Sequence, residues 1–476
     1  MSGAAEPFDV AVIGAGVVGA AIARSLARYR LRCVLIDAAE DVGTGTSKAN
    51  TAILHTGFDA KPGSLEARLV RRGHALLTSY GPQAGIPIER VGALLVAWDA
   101  EQLASLPSIA ANAARNGYTA IGTVSAEELY RREPHLGAGA LGALEVPDES
   151  IICPFTTPLA FATEAVVNGV DLALASPVQS IAVDAAGAHS LVTPERTFRS
   201  RYVVNAAGLY ADAIDRMFGH QTFTVTPRRG ELIIFDKLSR SLINHILLPV
   251  PTKVSKGVLV SPTVFGNVVL GPTAEDVADK SATGSTAAGI ANLCEKGSRI
   301  VPALMAEEVT AVYAGLRAAT EHSDYQLTFH PTQHYVCVGG IRSTGLSASM
   351  AIAEHVVAGL ADAGLALELK DDFHSVRMPN IGEAFQRPYQ SGEMIATNPD
   401  YGRIMCHCER VTRGEIVDAV HAPIPARSLD GVRRRTRALF GRCQGFFCAA
   451  AVARVLADQT RQSIAAILGL NDTGVK

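Results

Sequence analysis

The chain has 476 residues, 48% of them hydrophobic and 19% charged, with a formal net charge of −3. That length supports two or three domains with cores of their own, and so small a charge gives no global field for nucleic acid or anionic lipid. No apolar run reaches the roughly 18 residues of a membrane span, and MSGAAEPFDV lacks the basic and apolar stretches of a secretory signal, so the expectation is a cytoplasmic protein with peripheral membrane association left open.

The first element is a βαβ unit. Asp9 to Ile13 reads as a short buried strand, Ala20 to Leu26 opens an apolar helix, and Cys33 to Ile36 is a second strand ending on Asp37. Between strand and helix, Gly14, Gly16 and Gly19 form G-x-G-x-x-G, and Asp37 stands 23 residues after the first glycine. Gly14 permits the tight turn, Gly16 lets a pyrophosphate approach the backbone, and Gly19 lets helix and sheet pack closely. The helix N-terminus offers free N–H groups to phosphate, and Asp37 can accept ribose hydroxyls. The stretch predicts a dinucleotide site and leaves NAD and FAD as alternatives.

The next loop, VGTGTSKANTAILHTGFDAKPGS, is rich in Gly, Ser, Thr and Asn and supplies backbone donors and small side chains to a ligand. It contains Thr46, Ser47, Asn50 and His55, and runs into a helix over Ser64 to Leu77. Residues 86–145 mix a strand with polar helices, the first of which (Ala100 to Asn116) is expected to break near Pro107. A helix over Pro158 to Asn168 returns the chain to the nucleotide domain. A strand over Val178 to Val183 with a hairpin partner over Ser190 to Thr197 follows, and then the small-residue turn Ala206, Ala207, Gly208. The segment 219–329 reads as strands of one antiparallel sheet, interrupted by a helix in Ala287 to Ile300. HYVCVGGIRSTGLSAS is again strand, glycine turn and helix; its helix, starting near Gly345, presents the N–H groups of Gly345, Leu346 and Ser347. A second glycine turn of this kind suits a flavin, whose pyrimidine edge gains negative charge on reduction, and is not needed by an NAD dehydrogenase.

These motifs together carry a resemblance. The βαβ unit, NAAGLYAD, PRRGE, AGLR and GGIRSTGLSAS resemble, in order and spacing over about Asp9 to Asp362, the D-amino-acid-oxidase-like FAD-dependent oxidoreductases. TSKANTAILHTGFDAKPGSLEARL and SKGVLVSPTVFGNVVLGPTA look most like the glycerol-3-phosphate oxidase or dehydrogenase branch, with L-2-hydroxyglutarate oxidases as near relatives. The resemblance implies FAD bound by Gly14, Gly16, Val18, Gly19, Asp37, Thr46, Ser47, Asn50, Val178, Ala207, Gly208, Gly345, Leu346 and Ser347. It implies His55 as the base for a substrate hydroxyl and Arg317 as the anion-binding cation. Lys256 looks like an accompanying lysine, with Lys253 as its rival. Either Ser343 or Ser347 reaches the substrate or the flavin. Arg342 departs from the Gln or Glu expected beside that turn and places an additional cation near flavin or substrate.

Cys406-x-Cys408, 34 intervening residues and Cys443-x₄-Cys448 form the second strong signal. Four thiolates from two short turns can hold Zn²⁺ or a [2Fe–2S] cluster. The flanks CHCERVT and RRRTRALFGRCQGFFC resemble the bacterioferritin-associated-ferredoxin-like domain, which implies [2Fe–2S] ligated by Cys406, Cys408, Cys443 and Cys448, with His407 not a ligand. The basic run Arg433, Arg434, Arg435 and Arg437 reads either as charge compensation for the cluster or as a solvated helix face.

The expected architecture is α/β (α+β overall). It comprises a discontinuous Rossmann-type FAD-binding domain (1–85, 146–218, 330–370), an inserted antiparallel-sheet substrate domain (86–145, 219–329), a linker (371–400) and a small helical iron–sulfur domain (401–476). The resemblance implies a dehydrogenase that oxidises a small anionic 2-hydroxy compound, glycerol 3-phosphate first, and passes electrons through the cluster to an acceptor protein or partner subunit. The alternatives are a 2-hydroxy acid of the L-2-hydroxyglutarate type, a hydroxyproline-like secondary amine, or an electron-transfer subunit without substrate chemistry.

Overall fold

The computed structural model describes residues 6–184, 187–251 and 257–469. The strand Phe8–Ile13 is buried along almost its whole length, as a strand covered on both faces must be. It pairs in parallel with Cys33–Ile36 on one side and Thr197–Asn205 on the other. Asp171–Ala173 and Tyr335–Gly339 extend this sheet in parallel at its two sides. The nine-residue strand Thr197–Asn205 serves two neighbours: its first half closes an antiparallel hairpin with His189–Val192, and its second half pairs with Tyr335–Gly339. The hairpin begins at Ser180 and its second strand ends at Val192, so it is shorter than the sequence pattern implies. Helices Val17–Leu26, Thr156–Val167, Leu65–Ala84 and Gly345–Asp362 pack as one layer on this sheet.

A nine-stranded sheet faces this body. It unites strands from both excursions of the chain: Ala93–Ala97, Gly122–Ser125 and Gly142–Val146 from the first, and Thr226–Phe235 through Val309–Ala319 from the second. The sheet is not wholly antiparallel. The seam between the two excursions, Ala93–Ala97 against Ile246–Pro249, is a parallel pair. No hairpin joins those strands, so no local turn imposes an antiparallel direction.

Two helices run further than the sequence pattern implies. Ala100–Arg115 is continuous through Pro107, which is exposed, so the carbonyl it leaves unpaired is on the watery side of the helix. Leu65–Ala84 continues through Pro82 to Gly85, whose left-handed backbone ends it.

A three-stranded sheet of Ile53–Leu54, Ile88–Glu89 and Ser150–Ile152 sits where the two larger layers meet. The C-terminal domain is a short hairpin, Ile404–Cys406 with Val411–Thr412, and the helices Arg413–His421, Leu429–Thr436 and Ala449–Thr460. Among the described residues no helix is long and apolar enough to cross a membrane.

Candidate active site

The first glycine turn is tightly built. Gly14 sits at φ +106°, and a Cβ there would strike the Ala206 carbonyl. Asp37 Oδ2 accepts the Ala15 N–H (2.5 Å) and Oδ1 accepts that of Ala39 (2.8 Å). Burial raises its carboxyl above the ordinary range, opposed by those two N–H groups. Each oxygen keeps a lone pair for a ribose hydroxyl.

From this turn a cleft of about 640 Å³ runs to the second glycine turn. Gly16, Val18, Thr46, Ser47, Asn50, Gly208, Gly345 and Leu346 line it, together with His55, Arg317 and Ser343. Gly14, Gly19, Asp37 and Ala207 stand behind its wall, and Val178 packs against an apolar cluster that includes Ile13, Ile36 and Ala173. Helices Val17–Leu26 and Gly345–Asp362 both begin at the cleft without an acid in the first turn or a side-chain bond from their own cap residue. Their positive ends therefore suit phosphate and a flavin gaining electron density.

The loop side chains tie the loop to the first helix, to a distant strand and to itself. Ser47 Oγ accepts the Val17 N–H (2.9 Å), Thr46 Oγ1 donates to the Leu316 carbonyl (2.7 Å), and Asn50 bridges Ser47 O and Ala52 N. Ser347 is fully buried: its hydroxyl accepts the His55 N–H (2.8 Å), whereas Ser343 is exposed on the cleft. The sequence left these serines as alternatives; Ser347 holds the loop that carries His55.

Strand register brings His55 to Glu149. Leu54 pairs with Ser150 in the small antiparallel sheet, so the next residue of one strand meets the preceding residue of the other. His55 Nδ1 lies 3.0 Å from Glu149 Oε2. Glu149 is completely buried and its other oxygen accepts from Thr56 N (2.7 Å) and Thr56 Oγ1 (2.9 Å). A carboxylate so placed favours the tautomer with hydrogen on Nδ1 and leaves Nε2 as the basic nitrogen. Glu149 was not singled out in the sequence; nothing in VPDESII distinguishes a buried acid from a turn residue.

Arg317 is the cation of the cleft. Its strand neighbour is Arg228, directly opposite in the Thr226–Phe235/Val309–Ala319 pair, and Arg228 is itself held by Asp276 at 2.6 and 2.9 Å. Arg317 donates only long bonds, both 3.3 Å, to the Thr273 carbonyl, and among the described residues no carboxylate pairs with it. Burial, with the Arg228 charge adding, lowers its pKa to about 10, which leaves it charged at neutral pH. Gly230 makes the space: a Cβ there would come within 2.7 Å of Arg317 Nη2. Arg342, expected as a further cation, is neutralised by Glu66 (2.7 Å) and also donates to the Ser323 carbonyl (2.6 Å). Glu66 in turn accepts from Thr344 (2.7 Å), bracing the second glycine turn. Lys256 and Lys253 lie outside the described residues.

In the C-terminal domain Cys406 ends a strand and Cys448 caps the helix Ala449–Thr460. Among the described residues no group of three or more metal-binding side chains converges on one point; the thiols stand as two hydrogen-bonded pairs, Cys406 with Cys448 and Cys408 with Cys443. The bond from Cys448 pulls Cys406 down to about 6 and pushes Cys448 up, and the Leu439 N–H points at both. None is in a disulfide. Four thiols joined electrostatically, with backbone N–H groups aimed at their sulfurs, have the donor chemistry of an iron–sulfur site.

Residues 9–358 match the FAD dependent oxidoreductase family and residues 404–458 match the BFD-like [2Fe-2S] binding domain. The chain belongs to the FAD-dependent oxidoreductases. It is 38% identical over 455 residues to a glycerol 3-phosphate dehydrogenase of Caloramator mitchellensis, covering 95% of this chain and 94% of that protein. It is 30% identical to a glycerol 3-phosphate oxidase of Mycoplasma pneumoniae over 361 residues, 74% of this chain and 94% of that one. Its fold matches the dithionite-reduced L-α-glycerophosphate oxidase of Mycoplasma pneumoniae with FAD bound, with a TM-score of 0.74 and 28% identity over 79% of this chain and 99% of the other. The first of these relatives spans the cysteine domain as well, so flavin cleft and [2Fe–2S] domain form one oxidoreductase.

The basic run departs from both of its sequence readings. Arg434, Arg435 and Arg437 are neither solvated nor directed at the thiols: all three are buried and form ion pairs, the first two with Asp41 of the FAD-binding body and Arg437 with Glu409. Planar guanidinium forks suit such buried carboxylate pairing, which a run of charges does not reveal without its partners.

Proposed function

We propose that this oxidoreductase is a glycerol 3-phosphate dehydrogenase that delivers its electrons through the [2Fe–2S] domain to a separate acceptor protein. The observation that carries the reading is Arg317, a charged fork in the cleft that no carboxylate among the described residues answers, on the same cleft as the His55–Glu149 pair. Bound FAD supplies the two-electron sink that takes hydride from the carbon bearing the hydroxyl. Arg317 binds the anionic end of the substrate and fixes which carbon faces the flavin. His55 Nε2 takes the hydroxyl proton, and Glu149 keeps the ring oriented and offsets its positive charge. The Gly345–Leu346 helix start, beside the loop that carries His55, steadies negative charge on the flavin when it is bound. Relatives named for glycerol 3-phosphate support the choice of substrate.

The test is anaerobic mixing of the holoenzyme with glycerol 3-phosphate, L-2-hydroxyglutarate or hydroxyproline while flavin absorbance is followed. Bleaching by glycerol 3-phosphate is expected. Bleaching by one of the carboxylates alone would reassign the substrate, and no bleaching by any small hydroxy compound would leave the chain an electron-transfer subunit.

A further inference from the structure

Electrons that arrive in the flavin cleft have to cross to the cysteines, and one short segment reaches from the cysteine domain to the body that carries the cleft. Arg437 and Leu439 adopt left-handed backbone, φ +75° and +72°, an uncommon conformation for residues with side chains. The bend seats Leu439 in the buried cluster that also contains Cys406 and Cys448. It also turns the Phe440 ring onto Phe155, whose own ring stacks on Phe265; the ring centres are 5.4 and 5.8 Å apart. The Arg437 guanidinium lies over both outer rings, 4.0 Å from Phe265 and 5.0 Å from Phe440. It hydrogen-bonds Asn267 (3.2 Å) of the substrate sheet, the sheet that also carries Tyr313.

Tyr313 completes the connection to the cleft. Tyr313, Gly315 and Arg317 alternate along one strand, so their positions share one face. Arg317 lines the cleft, a Cβ on Gly315 would strike the Ala49 carbonyl of the cofactor loop, and the Tyr313 hydroxyl donates to the Asn50 carbonyl (3.1 Å) of that loop. An electrostatic clamp holds the segment: Arg435 forks onto both Asp41 oxygens (2.7 and 2.8 Å) and Arg434 adds a third bond (2.6 Å). Arg442, just before Cys443, is fixed to Asp236 and Glu308 of the substrate sheet.

We infer that Arg437–Phe440, clamped on Asp41, is the electronic joint of the molecule: it fixes the cysteine domain on the FAD-binding body and the substrate sheet, and so sets the distance that electrons cross between flavin and cluster. The inference rests on flavin and cluster acting in series. Reduced flavin yields two electrons and two protons, and a [2Fe–2S] cluster takes one electron at a time. The joint is therefore used twice per substrate oxidised, a one-electron acceptor protein emptying the cluster after each passage and the protons leaving to water. Tyr313, Arg437 and Phe440 are positioning residues: they are neither oxidised nor reduced in net terms.

The test reduces the flavin of the holoenzyme with a light pulse and a sacrificial amine donor, so that no substrate is needed, and follows electron arrival by the paramagnetic signal of the reduced cluster. Arg437→Leu and Asp41→Asn should slow flavin-to-cluster transfer by about tenfold or more, as loss of sub-ångström positioning does elsewhere, at unchanged FAD and iron content. Asp41→Glu should restore most of the rate. Should Arg437→Leu lose iron, Phe155→Leu, remote from the cysteines in sequence, carries the same expectation. Wild-type transfer rates in Asp41→Asn and Phe155→Leu would overturn the inference, even if both variants melt earlier, because a merely structural contact predicts that result. A failed substrate screen would leave this measurement unaffected.

Discussion

Two groups of arginines, one in the flavin cleft and one at the seam with the cysteine domain, meet opposite fates. At the seam, Arg434, Arg435, Arg437 and Arg442 each reach a carboxylate. In the cleft, Arg228 is satisfied by Asp276, and Arg317, its strand neighbour, is left with a carbonyl at 3.3 Å. Removing a guanidinium from water without a counter-charge is unfavourable, so folding alone does not favour such an arrangement. The seam arginines hold two domains in one geometry; no carboxylate among the described residues answers the charge of the cleft arginine. The same residue type thus reads as structure or as candidate site according to what answers its charge.

That contrast can be broken from either side. The largest effect is expected at the His55–Glu149 pair: Glu149→Gln should lower kcat by about a hundredfold or more with FAD content unchanged, measured by steady-state kinetics and flavin absorbance. Next, Arg317→Leu should raise KM by about 30- to 150-fold, equivalent to about 2–3 kcal/mol of lost charge-assisted binding, while the flavin spectrum stays as in the wild type. If Arg317 were structural like its seam counterparts, the variant would instead lose stability with little change in KM.

The smallest effect concerns stability and pH. Burial tends to raise the Asp41 carboxyl, but the hydrogen bonds and charges of Arg435 and Arg434 outweigh it and hold the group below the ordinary carboxylate range. A depressed folded-state value means that the clamp stabilises fully above the unfolded value of about 4 and weakens as pH falls through the folded one. Asp41→Ala should therefore cost about 2 kcal/mol at neutral pH, since it leaves the buried Arg435 without its carboxylate while Arg434 keeps Asp430, and the gap from wild type should narrow below about pH 4. Denaturant melts at two pH values measure both; a pH-independent gap would count against the clamp.

The cofactor sites were largely legible in the sequence because they are local. G-x-G-x-x-G with Asp37, the second turn at Gly345, and Cys406, Cys408, Cys443 and Cys448 each need only a few neighbouring residues to define their chemistry. His55 and Arg317 were reached through resemblance, not through their surroundings, and those surroundings were invisible. Glu149 lies 94 positions from His55, and Asp41 lies 394 from Arg435. Pro107 misled for a related reason: whether a lost hydrogen bond matters depends on which side of the helix water lies.

By itself the sequence determined the kinds of cofactor this chain can hold, since a phosphate-cradling turn and a four-thiolate set are written in short spacings that survive any rearrangement of the rest. Only the tertiary structure decided which charges are answered. Strand register set His55 against Glu149, cross-strand pairing left Arg317 alone beside a satisfied Arg228, and domain docking buried the basic run on Asp41. Each of these depends on where distant segments meet in low-dielectric surroundings, and no local pattern encodes that.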